Sequence, residues 1–332
     1  MIDKSIRINE IAEKAGVSPS TVSRVLNHPE NVSSKTTSAI KQAMEELGID
    51  LSVLLRMKDD KTESKVIIYC VPDIQNPFFD KVFSGIRACA ETRSYTVLLH
   101  VGSISEKNIN TFIKIVRQNS VSGVILTTNI DSQCIRMIND LVPVVQCSNT
   151  SQDPVSKVAI DEKEAAKEAV RYLTAGGHHK IAFVGSTTRS NFSRLRKEGY
   201  LEALQEADLE INENLLISLP RIDFETALTA VKILLTGPNK PDAVFGVSDI
   251  IAAATVNAAK QSGLRIPEDL AVIGFDNVSY SIISRPTITS VSVPCYQLGF
   301  SACELLIEKI NNPRVEIKEV ILKTELIVRE SS

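Results

Sequence analysis

The feature that most constrains the fold is a change of hydrophobic period at Val66. From there onward, short apolar runs alternate with amphipathic helical patterns. The runs with the length and composition of buried strands are VIIYCVP, YTVLLHVG, GVILTTN, PVVQCS, KIAFVGS, DAVFGVSD and LAVIGFDN. Such alternation predicts an α/β fold of parallel sheets covered by helices on both faces, and the stretch is long enough for two doubly wound units.

A doubly wound fold binds its ligand outside the carboxyl ends of the strands, in the crevice between units. Polar residues follow the predicted strands at Asp73 to Asn76, Ser148 and Asn149, Ser248 and Asp249, and Asp276 and Asn277. In PDIQNPFF, the amides of Gln75 and Asn76 precede Pro77, which begins a helix whose first turn carries Phe78 and Phe79. Aromatic faces beside amides suit a polyhydroxylated ring, although either phenylalanine taken singly fits a core position equally well.

The first fifty residues contain three short helical patterns separated by turn residues. Asn9 is the expected cap of the first helix, and Gly16 ends it. Ser18 caps the second helix, with Pro19 at its first position, where a missing N–H costs nothing. The turn between these two helices is therefore tight.

These helices are amphipathic. Val22, Val25 and Leu26 form a buried stripe on the second helix. Its outer face carries small polar residues and one arginine: Ser20, Thr21, Ser23, Arg24 and Asn27. The third helix, capped by Ser33 or Ser34, turns inward Ile40, Ala43, Met44 and Leu47. Two short helices joined by a tight turn containing Gly form a helix-turn-helix unit, whose second helix enters the DNA major groove.

The segment INEIAEKAGVSPSTVSRVLNHPENVSSKT closely resembles the DNA-binding head of the LacI family of bacterial transcription regulators. The resemblance implies base contacts from Pro19, Ser20 and Arg24. It implies phosphate contacts from a second group of residues: Thr21, Ser23, Asn27, Asn31, Lys35 and Thr36. Arg24 suits a bidentate bond to guanine O6 and N7, which contributes about 1–3 kcal/mol of discrimination between bases.

The resemblance continues through VPDIQNPFFDKVFSGI, GGHHKIAFVGS, RLRKEGYLEAL and SDIIAAATVNAAKQSGLRIPEDLAVIGFDN. The family's core is similar to periplasmic sugar-binding proteins, and its chain crosses three times between two subdomains, here near Asp161, Ser290 and Ile321. The implied division is a helix-turn-helix domain at 1–50, a hinge helix and linker at 51–65, and an effector-binding and dimerisation core at 66–332. The N-subdomain would cover about 66–161 and 291–321, and the C-subdomain about 162–290 and 322–332.

Arg196 and Asp276 match the Arg and Asp with which the family binds effectors. They are expected to face each other across the cleft and grip vicinal hydroxyls. For Arg196 the alternative is a surface salt bridge. With the strand-end residues they give a predicted effector site of Gln75, Asn76, Phe78, Phe79, Asn149, Arg196, Ser248 and Asp276. Ser248 stands where many family members have Asn.

LSVLLRMKDDKTESKV, residues 51–66, occupies the place of the family's hinge helix. By the resemblance, that helix forms on operator DNA, pairs with its mate and inserts a Leu into the minor groove. Lys58 stands where this Leu is expected, whereas Arg56 matches the family pattern. Met57, or Leu55 after a shift of one residue, is the candidate wedge; alternatively, Lys58 contacts the groove or a phosphate without a full kink.

Other functional classes find little support. The six cysteines form no Cys-x-x-Cys pair and are expected to be reduced core residues, and the four histidines belong to no catalytic or metal motif. We therefore expect no enzyme, metal or cofactor. No run approaches the ~18 apolar residues of a membrane helix, and MIDKSIRINE lacks the apolar core of a secretory signal, which favours the cytoplasm.

Two alternatives share the same core. One is a pure sugar-binding protein, against which the helix-turn-helix pattern argues. The other is a regulator with a protein corepressor, as in carbon-catabolite control. In that branch, the family pattern places an Arg that binds a phosphoprotein. Here the same position is Glu304, whose carboxylate would repel a phosphate. The sequence predicts a homodimeric repressor that binds a palindromic operator and is controlled by a small sugar-like effector.

Overall fold

The computed structural model describes residues 4–27, 32–47, 65–148, 151–186 and 191–332. Two compact units divide the chain, a head unit of Met1–Ser64 and a core unit of Lys65–Ser332. The described part of the head unit contains the helices α1 (Lys4–Ala15), α2 (Pro19–Asn27) and α3 (Ser34–Glu46). They enclose a small apolar core of Ile11, Ala12, Val22, Val25, Ile40 and Met44.

The turn chemistry of the head unit confirms the predicted caps of α2 and α3. Ser18 Oγ accepts a hydrogen bond from the backbone N–H of Thr21 at 3.1 Å, and Pro19 is the first residue of α2. Ser33, and not Ser34, caps α3, because its side chain accepts from the backbone N–H of Thr36. Each cap satisfies a donor that the first turn of a helix leaves unpaired.

Two predictions for the head unit are wrong. Asn9 does not cap α1, because the helix already runs from Lys4 and Asn9 lies inside it. The partly buried Ile8 packs on the head core, so tertiary packing extends the helix beyond the residue that could have capped it. Leu47 does not turn inward: it is the C-cap residue that follows α3, and 38% of its surface stays exposed.

Strands and helices alternate through the core unit. The strands are β1 (Val66–Val71), β2 (Thr96–Val101), β3 (Gly123–Leu126), β4 (Val144–Cys147), β5 (Ser156–Ile160), β6 (Ile181–Ser186), β7 (Leu216–Leu219), β8 (Ala243–Gly246), β9 (Ala271–Asp276), β10 (Thr289–Ser292), β11 (Glu319–Leu322) and β12 (Glu325–Ile327). The helices are α4 (Pro77–Thr92), α5 (Ile109–Gln118), α6 (Ser132–Asn139), α7 (Glu162–Ala175), α8 (Asn191–Glu206), α9 (Phe224–Thr236), α10 (Asp249–Gln261), α11 (Ser279–Ile283) and α12 (Cys295–Asn311). Every predicted strand run is confirmed as a strand.

The strands form two six-stranded sheets, one for each lobe of the core unit. The first lobe has the strand order β11-β5-β4-β3-β1-β2, and all its pairings are parallel. The second lobe has the order β12-β10-β9-β8-β6-β7, parallel except for the antiparallel pair β10–β12. The fold is therefore an α/β core of two doubly wound lobes preceded by a helical head unit.

The chain passes between the lobes at three places. It leaves the first sheet after β5 and enters α7, which packs on α8 of the second lobe. It returns between β10 and α12, since α12 packs on α4 and on β3 to β5. It crosses a third time between β11 and β12. The second crossing lies later than expected, because Val291 and Ser292 still pair with β9 in the second sheet.

All six cysteines are free and buried, which confirms their expected place in the core. Among the described residues, no helix is long and apolar enough to cross a membrane. No cluster of His, Cys, Asp and Glu able to hold a metal ion occurs in that part of the chain either.

Candidate functional site

A cavity of about 520 Å³ lies between the carboxyl ends of the strands of the two lobes. The first lobe lines it with Pro72, Asp73, Gln75, Asn76, Phe78, Phe79, Ser103, Thr127, Thr128, Asn129 and Ser148. The second lobe contributes Ser186, Phe192, Arg196, Pro220, Arg221, Ile222, Asp223, Val247, Ser248 and Asp276. Both the place and the volume are typical of a small-molecule site.

The structure brings together the predicted effector residues that it describes, which are Gln75, Asn76, Phe78, Phe79, Arg196, Ser248 and Asp276. Asn149 lies outside the described residues. Sequence reasoning missed the buried hydroxyls of Thr127 and Thr128. Both follow β3 in the run GVILTTN, so the strand-end rule could have found them. It also missed Phe192, Arg221 and Asp223, which lie on loops and helix starts with no local signal.

The start of α4 explains how the first lobe presents its aromatic side chains. Asn76 caps the helix by accepting from the backbone N–H of Phe78 at 3.0 Å, and Pro77 fixes the first turn. Phe78 is buried and packs edge-to-face on the half-buried Phe79, with ring centroids 5.4 Å apart. Phe79 therefore offers the more accessible ring to a ligand.

Arg196 is the centre of the second lobe's contribution. Its side chain is buried, so the alternative of a surface salt bridge is wrong. Nε donates to Glu162 Oε2 at 2.7 Å, and Nη1 donates to the carbonyl of Val247. Nη1 also lies 3.5 Å from Asp276 Oδ1. The guanidinium stacks on the ring of Phe275, with 3.5 Å between its carbon and the ring centroid.

The expectation that Arg196 and Asp276 face each other across the cleft is wrong. Arg196 is on α8 and Asp276 ends β9, so both belong to the second lobe. The carboxylate of Asp276 is instead influenced from the first lobe by the side chain of Asn76, which favours its ionised form. Burial raises the pKa of Asp276 to about 7, against the opposing effect of Arg196.

The backbone at the end of β9 is held in an uncommon conformation. Asp276 and Asn277 have φ angles of 97° and 52°, a region that costs about 1–3 kcal/mol for residues with a side chain. Asp249 stabilises this turn: its Oδ2 accepts from the backbone N–H of Val278 and its Oδ1 from Ser290 Oγ, both at 2.6 Å. Asp249 thereby positions Asp276 at the cavity.

A further contact bridges the lobes beside this turn. Lys81 on α4 donates from Nζ to the carbonyl of Asn277 at 2.8 Å. This hydrogen bond joins the first lobe to the strained turn of the second, beside the place where Asn76 acts on Asp276. The position of Asp276 therefore depends on the relative arrangement of the lobes.

Ser248 lines the cavity and is buried, yet no described residue forms a hydrogen bond with its Oγ. It precedes α10 as the N-cap residue without making a side-chain capping bond. A buried hydroxyl without a partner costs free energy that a bound ligand can recover. This atom therefore points to a polar ligand group next to Asp276 and Arg196.

The predicted DNA-contacting residues lie on and around α2. Pro19, Ser20 and Arg24 are exposed on this helix, Thr21 is half-buried, and Lys35 at the start of α3 is exposed. The side chains of Ser23 and Asn27, and the residues Asn31, Arg56 and Met57, lie outside the described part. The hydroxyls of Ser20 and Thr21 each bond to Ser18 Oγ at 2.8 Å, and Thr36 Oγ1 bonds to Ser33 Oγ at 2.8 Å.

Comparison with known proteins matches both units. Residues 7–49 match the family model described as bacterial regulatory proteins, lacI family, and residues 170–332 match the periplasmic binding protein-like domain. The chain is 31% identical over 329 residues to the HTH-type transcriptional repressor CytR of Escherichia coli (strain K12), covering 98% of this chain and 96% of CytR. It is 31% identical over 336 residues to the catabolite control protein A of Priestia megaterium, covering 99% of both.

A solved structure matches nearly the whole chain as well. It is the complex of the transcriptional regulator CelR with cellobiose, which has 27% sequence identity and a TM-score of 0.75. The match covers 98% of this chain and 99% of that one. Head unit and core unit thus occur together in its relatives.

Proposed function

Because this chain belongs to the lacI family of bacterial regulatory proteins and is a DNA-binding transcriptional repressor, not an enzyme, we propose that its head unit binds a palindromic operator. We further propose that a small sugar-like effector in the cleft sets the affinity of the protein for that operator. Cytoplasmic localisation follows from this role, since a repressor must reach the chromosome.

The observation that carries the effector assignment is the group formed by Arg196, Asp276 and the unpartnered Ser248 beside Phe79 and Phe192. Carboxylate, guanidinium and hydroxyl groups suit the hydroxyls of a sugar, and aromatic faces suit the apolar face of its ring. The bound cellobiose of CelR supports the same class of ligand.

The mechanism that we propose is a change in the arrangement of the lobes. An effector that contacts Gln75 and Asn76 of the first lobe and Arg196 and Asp276 of the second would stabilise one arrangement over others. The three crossings would act as the hinge. Effector and operator would then be coupled reciprocally, typically by about 1–3 kcal/mol.

We propose that the repressor is a homodimer. The edge strand β2 exposes Leu98, Leu99 and Val101, and the short helix α11 exposes Ile282 and Ile283. An exposed apolar edge strand in a soluble regulator is usually covered by another chain. A two-fold symmetric dimer also matches the symmetry of a palindromic operator.

In the head unit, the assigned base contacts are Pro19, Ser20 and Arg24, and residues 51–65 are assigned to the hinge with Arg56 and Met57 at the minor groove. A protein corepressor is less well supported. Glu304 is exposed and pairs with Arg93 at 3.1 Å, so a carboxylate stands on the surface where a phosphoprotein would have to bind.

Replacing Arg24 with Ala is expected to lower the affinity for the operator by about 1–3 kcal/mol more than the affinity for scrambled DNA, because a bidentate contact to guanine is lost. The operator would be selected from a random-sequence pool by the full-length protein and measured by fluorescence anisotropy. Lys41→Ala, which removes an exposed charge from α3, is the control and should not change the ratio of the two affinities. An equal loss on both DNAs for Arg24→Ala would refute the base contact.

A further inference from the structure

Carboxylates outnumber cations around the cleft. Asp73, Asp223 and Asp276 line the cavity, against two cations, Arg196 and Arg221. A further carboxylate, Glu162, lies directly behind Arg196, and both are buried. The described surroundings of the ligand therefore carry an excess of negative charge.

Both cations already have acidic partners. Arg196 makes its closest ionic contact with Glu162, at 2.7 Å, and a looser one with Asp276, at 3.5 Å. Oε1 of Glu162 has no hydrogen-bond partner among the described residues, so even this pair leaves acceptor capacity unused. Arg221 is exposed and lies 3.3 Å from Asp223 Oδ2.

Asp223, the acidic partner of Arg221, is ionised at neutral pH. Hydrogen bonds from Thr226, whose backbone N–H contributes most, hold the pKa of Asp223 below its usual range. The negative charge of Asp223 therefore offsets the positive charge of Arg221. Solvent screens the charge of Arg221 further, because its side chain is 80% exposed.

Helix starts attract anions, and two of the helix starts near the cavity carry a negative charge of their own. The first turn of α4 contains Asp80, α9 is capped by Asp223, and α10 begins with Asp249. The charges of Asp80 and Asp223 compensate the positive ends of α4 and α9, whereas burial raises the pKa of Asp249 to about 8, so α10 begins with a largely protonated acid at neutral pH.

The start of α8, where Phe192 lines the cavity, has no acidic residue in its first turn, but Arg196 on this helix is already paired with Glu162. Lys81, beside the cavity, donates to the carbonyl of Asn277. Among the described residues, neither of the two cations that line the cavity is left without an acidic partner.

We propose that the effector carries no anionic group and that the cleft, through Asp276 in particular, selects neutral or amine-bearing polyols against sugar phosphates and sugar acids. This inference rests on the proposed effector site. Asp276 is central because it is buried, lines the cavity and has only a loose contact with Arg196. Above its pKa of about 7, Asp276 presents a like charge to an anion placed beside it, whereas an ammonium or hydroxyl group would donate to it.

Calorimetry with the full-length protein at pH 8, where Asp276 is mostly ionised, tests the proposal on pairs of ligands of equal size. Glucuronate and glucuronamide, and galacturonate and galacturonamide, differ in charge and hardly in shape; ribose and ribose 5-phosphate, glucose, glucosamine and cellobiose complete the set. For a ring that binds, we expect the anion to bind at least about 100-fold more weakly than its neutral partner, which is about 2.7 kcal/mol. The amine should bind at least as tightly as the parent sugar.

Asp276→Asn should reduce the affinity ratio between neutral and anionic partners at least about tenfold, because it removes the buried negative charge. Asp208→Asn, which removes an exposed carboxylate outside the cavity at a positive φ that Asn also tolerates, should leave the ratio within a factor of about three, since exposed charges are screened. Thermal unfolding would show that both variants are folded.

The outcomes separate the two proposals. If the anionic member of a pair binds as tightly as the neutral member, the proposed selection by charge is refuted, whichever cation of the chain binds the anion. The proposal that the cleft binds a sugar-like effector would still hold. If neither the neutral nor the charged members bind, the sugar-like effector fails, and charge selection fails with it.

Discussion

Replacing Arg196 with Ala is expected to lower the free energy of unfolding of the core unit by about 3–5 kcal/mol. The reason is the burial of its partners: Glu162 and Asp276 would be left as carboxylates in a site from which their cation has been removed. The carbonyl of Val247 would lose its donor as well. Urea unfolding followed by circular dichroism measures the change, and calorimetry below the unfolding midpoint should show that effector binding is lost.

The control for this prediction is Arg171→Ala. Arg171 also pairs with two carboxylates, Glu206 at 2.6 Å and Glu164 at 3.1 Å, but its side chain is 45% exposed. Because solvent screens these ion pairs, Arg171→Ala should lower the free energy of unfolding by less than about 1 kcal/mol. Equal, small effects of both substitutions would contradict the account of Arg196 as a buried ionic centre. Adding Glu162→Gln to Arg196→Ala should recover part of the stability, because one unpaired charge is then removed.

Replacing Asp249 with Asn is expected to change how stability depends on pH. Burial raises the pKa of Asp249 to about 8, with a further contribution from Asp276, whereas the unfolded chain releases this proton near pH 3.8. Between these values the folded state holds a proton that the unfolded state lacks, so this group makes the wild type less stable as the pH rises. Asn imitates the protonated acid: its oxygen can accept from the backbone N–H of Val278, and its Nδ2 can donate to Ser290 Oγ, which reverses the direction of the bond that Ser290 donates to Asp249.

The measured quantity is the difference in unfolding free energy between wild type and Asp249→Asn at several pH values. Relative to Asp249→Asn, the wild type should lose up to about 1.4 kcal/mol of unfolding free energy per pH unit between pH 5 and 8. This relative loss should level off above the pKa of Asp249. Because the charge of Asp276 contributes to the raised pKa of Asp249, the difference reports on the titration of Asp249 together with its coupling to Asp276. A difference that is independent of pH would show that Asp249 is ionised throughout.

Much of the fold could be predicted because its signals are local. The apolar runs that became β1 and β9 are buried along almost their whole length, so they read as continuous hydrophobic strands. β5 gave no such signal, because it contains Ser156 and Lys157. Its polar groups are satisfied by residues more than 150 positions away: Lys157 pairs with Glu319, and Ser156 accepts from the backbone of Lys318. A pattern within one segment cannot show such pairings.

The candidate site likewise contains residues that the sequence predicted and contacts that it did not. Strand ends identified Asn76, Ser248 and Asp276, because parallel strands bring their carboxyl ends to one edge. The resemblance identified Arg196, but neither approach indicated that its tight partner would be Glu162, which lies 34 positions away on α7. Asn9 shows the limit within the head unit, where a good capping residue was overridden because the helix gained packing from Ile8.

The central claim is that the cleft controls operator binding, and one titration tests it most directly. Labelled operator would be titrated with full-length protein, with and without a saturating concentration of the sugar that calorimetry shows to bind in the cleft. We expect the operator affinity to change by about 5- to 150-fold, and the same factor to appear in the affinity for the sugar when operator is present. A sugar that binds the wild type, fails to bind Arg196→Ala and leaves the operator affinity unchanged would contradict the claim.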